Sequence, residues 1–412
     1  MATMVKNVER LSEAESAPAS AAKRVTELDL LRGVAIVLVL ATHSPSERGE
    51  SGWLRPLDAF IHQFGWTGVD LFFVLSGYLI GGLLFSEIRK FGSLDVRRFV
   101  LRRMLRIWPA YYLCLAFAFF IFIVREGFTP SAAWEQLWPS LLNIQNFFGG
   151  GPRGRDQLWS LGVEEHFYLA LPLYLGLLAR KADRLGTSRL VPLTGLVLGV
   201  VCLGLRVYTY VIEPTRLRYP TYLCLDALFF GVVLAYFKAY RSSVLQSIAN
   251  AGWSLPVALL SMVPAALFPG FVRETVGFTG LYLGYGLILL KLIYRPRQGT
   301  LVDRVAEARA AGWLAAFGTS SYSIYLWHRE FWTWEVYLNT LALGQRLHLP
   351  RELTWFLHTV LYMVAGAVTG IVFDRLLEQP IMNLRNRWFP ARDTPAVENR
   401  NPAAFEASAS AP

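Results

Sequence analysis

Cysteine is scarce in this sequence, and the few cysteines are not spaced as metal ligands. The three, Cys114, Cys202 and Cys224, lie in apolar stretches without ligand spacing. We therefore predict no disulfide framework, no zinc site and no other bound metal. The sequence also lacks a phosphate-binding glycine loop, a repeat of roughly 20 to 50 residues and a nucleic-acid-binding signature. These absences argue against a soluble nucleotide-binding, repeat or nucleic-acid-binding protein.

Charged residues are also few. They make up 17% of the sequence against 54% hydrophobic residues, and the mean hydropathy is +0.37. This composition is typical of a membrane protein, so the predicted fold class is an all-α polytopic membrane protein. Apolar windows of spanning length predict about ten transmembrane helices, at 28–44, 66–86, 107–124, 159–179, 190–212, 221–237, 253–270, 277–294, 313–338 and 353–377.

Basic residues are unevenly distributed between alternate loops. Most fall in the two tails and in the loops at 87–106, 180–189, 238–252 and 291–312. Because basic residues favour the cytoplasmic side, we predict that both termini are cytoplasmic. This bias accounts for most of the net charge of +10 without a nucleic-acid partner. Residues 1–25 and 391–412 are predicted to be disordered cytoplasmic tails around a transmembrane domain at 26–390.

Two ionisable residues mark the first predicted span. Arg32 and His43 are eleven residues apart in LDLLRGVAIVLVLATHS. That spacing separates them by about 16 Å along a helix, roughly half of the hydrocarbon core. Ionisable side chains inside a membrane segment are costly, which makes each a candidate functional residue. The alternative is that Arg32 pairs with Asp29 at i,i+3 and that His43 merely ends the helix.

Arginines crowd the loop after the second predicted span. In VRRFVLRRMLRIWP, Arg102, Arg103 and Arg106 share one helix face by i,i+3 and i,i+4 spacing. Converging guanidinium groups suit phosphate, so this face is a candidate site for a nucleotide-like anion. The alternative is an anchor against anionic lipid.

The second span carries Asp70 about one turn inside its outer end, the depth at which His43 should emerge. One interpretation is a carboxylate and imidazole pair, because a buried Asp without a partner would not stay ionised. The other is that Asp70 caps or hydrogen-bonds a neighbouring helix. Ser76, Gly77, Gly81 and Gly82 are expected to allow close helix packing rather than to take part in chemistry.

The fourth and ninth predicted spans carry the remaining candidates. In LWSLGVEEHFYLALP, Glu164 shares a helix face with Tyr168, whereas Glu165 lies on another face. We favour Glu164 as the residue that faces a site, and an interfacial polar belt is the alternative. His328 lies in the outer half of the ninth span, where the alternative is an aromatic belt with one incidental His.

Together these segments resemble the membrane-bound acyltransferase family 3, of the O-antigen and exopolysaccharide O-acetylase type. The likeness rests on the spacing of Arg32 and His43 and on the blocks GVDLFFVLSG, RRMLRIWP, LWSLGVEEHFYL and SYSIYLWH. The stretch FDRLLEQP, with Glu378 and Pro380, is similar to the end of the family's final helix. Cys224 is a departure, since many members have Arg there, and no role for that Arg is carried over.

The resemblance implies transfer of an acyl group, by default acetyl, from cytoplasmic acetyl-CoA to a hydroxyl of a carbohydrate or related acceptor at the outer face. Acyl-CoA would be a donor substrate, and no permanently bound cofactor is expected. The expected partners are thus acyl-CoA, a hydroxyl acceptor and the lipid bilayer, with no nucleic acid. The predicted location is a bacterial inner membrane that the chain crosses several times.

Roles for the candidate residues follow from this chemistry. His43 would remove the hydroxyl proton, oriented by Asp70 or Glu164, and Arg32, His328 or a backbone amide would stabilise the oxyanion. Direct transfer and a covalent acyl-His43 intermediate both stay open. The predicted catalytic residues are His43, Arg32, Asp70, Glu164 and His328, and those for the CoA phosphates are Arg102, Arg103 and Arg106.

A transporter or flippase for a lipid-linked sugar is the alternative function, because intramembrane charges and aromatic rims suit it too. Against it, no inverted repeat is visible in the sequence. We expect no esterase-like C-terminal domain, so acceptor specificity should reside in the membrane domain and its outer loops. The longest predicted outer loop, 125–158, has aromatic and glycine residues suited to lie over an acceptor cleft.

Overall fold

The computed structural model describes residues 27–44, 54–181, 186, 188–213, 219–295, 304, 306–330, 333–390 and 392. These residues contain helices and no β-strand, which confirms the all-α class. The helices are α1 (27–43), α2 (Arg55–Phe64), α3 (Gly68–Phe91), α4 (Val96–Val124), α5 (Pro130–Leu141), α6 (Trp159–Lys181), α7 (Leu190–Ile212), α8 (Leu225–Tyr240), α9 (Ser242–Asn250), α10 (Ser254–Leu267), α11 (Phe278–Ile293), α12 (Arg309–Thr319), α13 (Ser321–Trp327), α14 (Thr333–Arg346), α15 (Arg351–Phe373) and α16 (Gln379–Trp388).

Several of these helices are long and apolar enough to cross a membrane. Within the described residues five segments qualify, and a sixth does if α8 and α9, which meet at 112°, count as one span. The protein is therefore a multi-pass membrane protein, as its composition predicted. Some predicted spans form helices that are shorter than a hydrocarbon core of about 30 Å. At 1.5 Å per residue, for example, α1 is only about 25 Å long. The number of ten spans and the cytoplasmic termini stay predictions.

The predicted ninth span, 313–338, is not one helix. It is divided into α12, α13 and the beginning of α14, and α12 ends where Ser320 Oγ donates a hydrogen bond to Asp374 at 2.8 Å. This hydrogen bond connects the residue between α12 and α13 with the residue that directly follows α15. As a result His328 lies in the turn after α13 rather than within a long helix.

The first helix lies at the centre of the bundle. Ala35, Ile36, Val39 and Leu40 have no exposed surface. Ala35 belongs to one apolar cluster, built largely on α3, α6, α8 and α11, whereas the other three belong to a second cluster with α4 and α13. This burial fixes α1 and therefore the two ends that carry Arg32 and His43.

Helices α3 and α8 are in backbone contact. A Cβ added at Gly77 would lie 1.8 Å from the carbonyl oxygen of Leu228, and one at Gly231 would lie 2.3 Å from that of Val74. The expectation that small residues allow close packing is thus confirmed at Gly77. The contact holds α3, which carries Asp70 near its start, against the rest of the bundle.

Candidate active site

Three of the cavities in the described part of the chain contain the predicted site residues. The arginine cavity, of about 250 Å³, is lined among others by Arg98, Arg102, Arg103, Arg106, Arg385 and Arg392. The middle cavity, of about 100 Å³, is lined among others by Arg32, Arg103, Arg106, Glu164, Tyr322 and Glu378. The histidine cavity, of about 270 Å³, is lined among others by His43, Trp66, Asp70, Asp156, Gln157 and Trp159.

The three cavities adjoin one another through shared walls. Arg103 and Arg106 line both the arginine cavity and the middle cavity. Val69, Phe73 and Tyr325 line both the middle cavity and the histidine cavity. The three cavities therefore form a series from a strongly basic cavity to the cavity that contains the His43 imidazole, in the direction of α1.

His43 is paired with His328. The Nδ1 atom of His43 lies 2.9 Å from the Val39 carbonyl oxygen and 3.3 Å from Nε2 of His328. The Nδ1 atom of His328 lies 2.8 Å from the Tyr325 carbonyl oxygen. Because a carbonyl oxygen only accepts hydrogen bonds, we assign the proton of each neutral ring to Nδ1. His43 thus donates from Nδ1, His328 accepts at Nε2, and Nε2 of His43 keeps a lone pair for a substrate proton.

Asp70 lines the same cavity as His43 and is 7% exposed. Among the described residues, however, the hydrogen-bond partners of His43 are Val39 and His328. The pair of His43 with Asp70 that depth suggested is therefore corrected to a pair with His328. Depth along a helix does not determine which neighbouring side chain reaches the ring, and the turn that brings His328 there was not visible in the sequence.

Glu164 faces the middle cavity, as its position on the helix predicted. Its Oε1 accepts a hydrogen bond from Ser76 at 3.0 Å, and its Oε2 accepts one from Tyr168. Glu165 points elsewhere and accepts from Trp108 Nε1 at 3.0 Å. The hydrogen bond from Ser76 to the Glu164 carboxylate was not predicted from the sequence, which suggested only a packing role for this serine.

Arg32 combines both interpretations of its sequence position. Its NH1 lies 3.1 Å from Asp29 Oδ1, the i,i+3 pair that we gave as the alternative. Its side chain also lines the middle cavity, at the opposite end of α1 from His43. Arg32 therefore lies beside Glu164 rather than in the histidine cavity.

The arginines of the α4 face lie together in the wall of one cavity, as the helical spacing predicted, and two of them extend into the wall of the next. Arg102, Arg103 and Arg106 all contribute to the arginine cavity. The guanidinium carbon of Arg103 lies 4.2 Å from the centre of the Tyr168 ring, and Arg102 donates a hydrogen bond to the carbonyl of Phe389. Such a concentration of guanidinium groups suits a polyanion.

Two arginines of this cavity lie outside α4 and were not predicted from the sequence. Arg385 belongs to α16, and Arg392 follows it and pairs with Glu87 at 3.2 Å. Both lie far along the chain from α4. No local spacing connects them to the α4 face, and Arg392 falls in a segment that composition marked only as a tail. The segment after α15 thus contributes two arginines to the wall of the cavity.

The predicted outer loop, 125–158, contributes residues that the sequence analysis did not single out. Asp156 and Gln157 line the histidine cavity, which supports the expectation that this loop lies over a cleft. Arg155 Nε donates to both carboxylate oxygens of Glu330, at 2.7 and 2.8 Å, and Asp156 pairs with Arg329. The only signal in the sequence was that each segment carries an arginine followed by an acidic residue, Arg-Asp in the loop and Arg-Glu directly after His328.

Comparison with known proteins identifies the family. Residues 25–375 match a family model described as an acyltransferase domain. The peptidoglycan O-acetyltransferase OatA of Listeria monocytogenes is 28% identical over 381 residues, 87% of this chain and 56% of that protein. The O-acetyltransferase OatA of Staphylococcus aureus is 26% identical over 320 residues, 73% of this chain and 49% of that protein. The chain thus spans about half the length of these curated relatives, and no solved structure matches it. Since the family match covers most of its length and agrees with its motifs, the chain belongs to the membrane-bound acyltransferase family 3.

Proposed function

We propose that this protein is an integral membrane O-acyltransferase that moves an acyl group, acetyl in the first instance, from acyl-CoA to a hydroxyl of a carbohydrate. The observation that carries the proposal is the series of adjoining cavities from an arginine cluster to the His43–His328 pair. A donor with a phosphorylated nucleotide at one end and a thioester at the other matches such a series.

The donor enters from the arginine cavity. Arg102, Arg103 and Arg106 bind the CoA phosphates, and the narrow middle cavity takes the pantetheine arm. Arg32 and Glu164 line that middle cavity, where they bind polar groups of the arm. Arg32 is thus a donor-binding residue in this proposal rather than a stabiliser of the oxyanion beside His43. Binding energy from the distant phosphates positions the thioester carbonyl.

The reaction takes place at the histidine cavity. Nε2 of His43 takes the proton of the acceptor hydroxyl, whose oxygen attacks the thioester carbonyl carbon. The carbon–sulfur bond then breaks, the sulfur leaves as the thiolate and the His43 proton passes to it. Acyl ester and free CoA thiol are the products. A two-step path through acyl-His43 uses the same nitrogen as nucleophile.

His328 is the residue that orients His43. Its Nε2 and the Val39 carbonyl oxygen share the Nδ1 hydrogen of His43, and these two acceptors favour the tautomer needed for proton removal. When His43 becomes positively charged, the same lone pair stabilises the imidazolium, the task that a carboxylate performs in a Ser-His-Asp triad. Asp70 lies in the wall of the same cavity.

A carbohydrate acceptor is supported by the wall of the histidine cavity. Trp66 and Trp159 lie beside carboxylate and amide side chains there, and aromatic surface with a few polar groups is typical of small-ligand sites. The two relatives are named as O-acetyltransferases, one of them for peptidoglycan. We therefore propose a cell-envelope glycan as acceptor, reached at the outer face while the donor binds at the cytoplasmic face.

The proposal is tested by incubating the purified protein in nanodiscs with acetyl-CoA and soluble peptidoglycan fragments. Mass spectrometry should find fragments that are heavier by one acetyl group and that lose it on mild alkaline treatment, as an ester does. Protein that binds or moves the glycans without acetylating them would support the transporter alternative and contradict the proposal.

A further inference from the structure

The side chain of Gln157 is buried beside His43 without an internal partner. The residue is 2% exposed and lines the histidine cavity. Neither its Nε2 nor its Oε1 has a hydrogen-bond partner among the residues that the structure describes. A buried amide with both polar atoms unpaired is unfavourable, and such groups in native proteins call for an explanation.

The backbone of Gln157 is firmly held. Its carbonyl oxygen accepts hydrogen bonds from Tyr325 OH at 2.8 Å and from Ser160 Oγ at 3.4 Å. The carbonyl of the next residue, Leu158, accepts from Gln145 Nε2 at 2.7 Å. The unpaired amide therefore belongs to a fixed 3-10 turn, Asp156–Leu158.

This turn is tied to the histidine pair. Tyr325, whose hydroxyl binds the Gln157 carbonyl, uses its own carbonyl to accept from His328 Nδ1. A second contact joins the same two segments, because Arg155, just before the turn, pairs with Glu330, just after His328. The side chains of this pair are only 6% and 0% exposed. The backbone that carries the Gln157 amide is thus held next to the segment that carries His328.

We propose that Gln157 is an acceptor-binding residue that hydrogen-bonds neighbouring hydroxyls of the sugar ring whose oxygen His43 activates. The inference rests on the proposed function and adds a residue that determines specificity. A hydroxyl both donates and accepts, so two neighbouring hydroxyls match the unpaired donor and the unpaired acceptor of one amide. An oxyanion would use only the donor and would leave Oε1 unpaired.

The position of Gln157 among aromatic side chains supports a sugar. Trp66 packs against Phe278 with ring centres 5.3 Å apart, and Trp159 packs against Tyr219 at 5.7 Å. All four rings line the histidine cavity. Apolar ring surface for the C–H faces of a pyranose and an amide for its hydroxyls are the complementary features of a carbohydrate site.

The test compares wild type, Gln157→Leu and Gln157→Glu in nanodiscs, with acetyl-CoA and soluble peptidoglycan fragments as substrates. Leu removes both polar atoms at similar size, whereas Glu keeps the acceptor and loses the donor. We expect the KM for the fragments to rise about tenfold in the Leu variant and less in the Glu variant, with the KM for acetyl-CoA unchanged. Gln136→Leu, at an exposed position of α5 that lines none of the three cavities, should change neither constant.

The outcomes separate the two proposals. An active wild type whose KM for the fragments is unchanged by both Gln157 substitutions would overturn the role of Gln157 and leave the proposed function standing. A lower kcat with both KM values unchanged would assign Gln157 to the oxyanion and equally overturn acceptor binding. A wild type that acetylates no fragment would contradict the proposed function, and this role with it.

Discussion

His43 and His328 are 285 residues apart in the chain, yet Nδ1 of the first lies 3.3 Å from Nε2 of the second. Their ring centres are 5.0 Å apart. Each ring is further fixed by a carbonyl oxygen of its own segment, which determines the direction of the hydrogen bond between them. In the proposed mechanism His43 is the base and His328 is its orienting partner.

If His328 orients His43, its removal should affect the chemical step. We predict that His328→Ala lowers kcat by about 100-fold and leaves the KM for acetyl-CoA within twofold, because no donor contact is lost. His328→Gln, whose amide oxygen can accept the His43 hydrogen, should recover part of the rate. Steady-state kinetics on both variants test this. Equal rates for the Ala and Gln variants would show that the accepted hydrogen bond is unimportant.

The two neighbouring glutamates should differ in their effect. Glu164→Gln should lower kcat/KM for acetyl-CoA at least tenfold, since this carboxylate lines the middle cavity, whereas Glu165→Gln should have little effect. Because the two substitutions are chemically identical and adjacent, each is the control for the other. A larger loss in the Glu165 variant would contradict the assignment of the donor path.

The arginine cavity predicts a specific change in donor use. Arg102→Ala and Arg103→Ala should each raise the KM for acetyl-CoA about tenfold, because a charge-assisted bond to phosphate is lost. Acetyl-pantetheine, which lacks the nucleotide, should be used equally well by the Arg102 variant and wild type, because Arg102 does not line the middle cavity proposed for the pantetheine arm. Arg97→Ala is the matched control, since Arg97 is exposed on the same helix and does not line the cavity. Poor membrane insertion with an unchanged KM would favour the lipid-anchor alternative.

The two ion pairs beside His328 should differ in their effect on stability. Glu330→Gln leaves the Arg155 guanidinium buried without its counter-charge and should cost about 3–5 kcal/mol of unfolding free energy. Arg329→Gln breaks a pair whose side chains are 23% and 52% exposed, and should cost about 0–1 kcal/mol. Denaturant unfolding of both variants in detergent measures the difference. Equal losses would indicate that the Arg155 pair is not the fixed element inferred above.

Much of the site follows from one-dimensional spacing, and the remainder depends on contacts between distant segments. Helical period placed Glu164 with Tyr168 and aligned the arginines of α4, because side chains three or four residues apart share a face. The partner of His43 was not predictable, since it depends on the break at Ser320 and on the turn that follows α13. Gln157 gave no signal, because an amide in a loop has neither periodicity nor charge.

The most direct test of the account is the release of CoA thiol from acetyl-CoA by purified protein in the presence of peptidoglycan fragments. Wild type is compared with His43→Ala and with His166→Ala, a control in which the altered imidazole bonds to Thr221 and lines none of the three cavities. We predict saturable release by wild type and by the His166 variant, and release at background level by a folded His43 variant. Release that persists in the His43 variant would contradict the mechanism proposed for this protein.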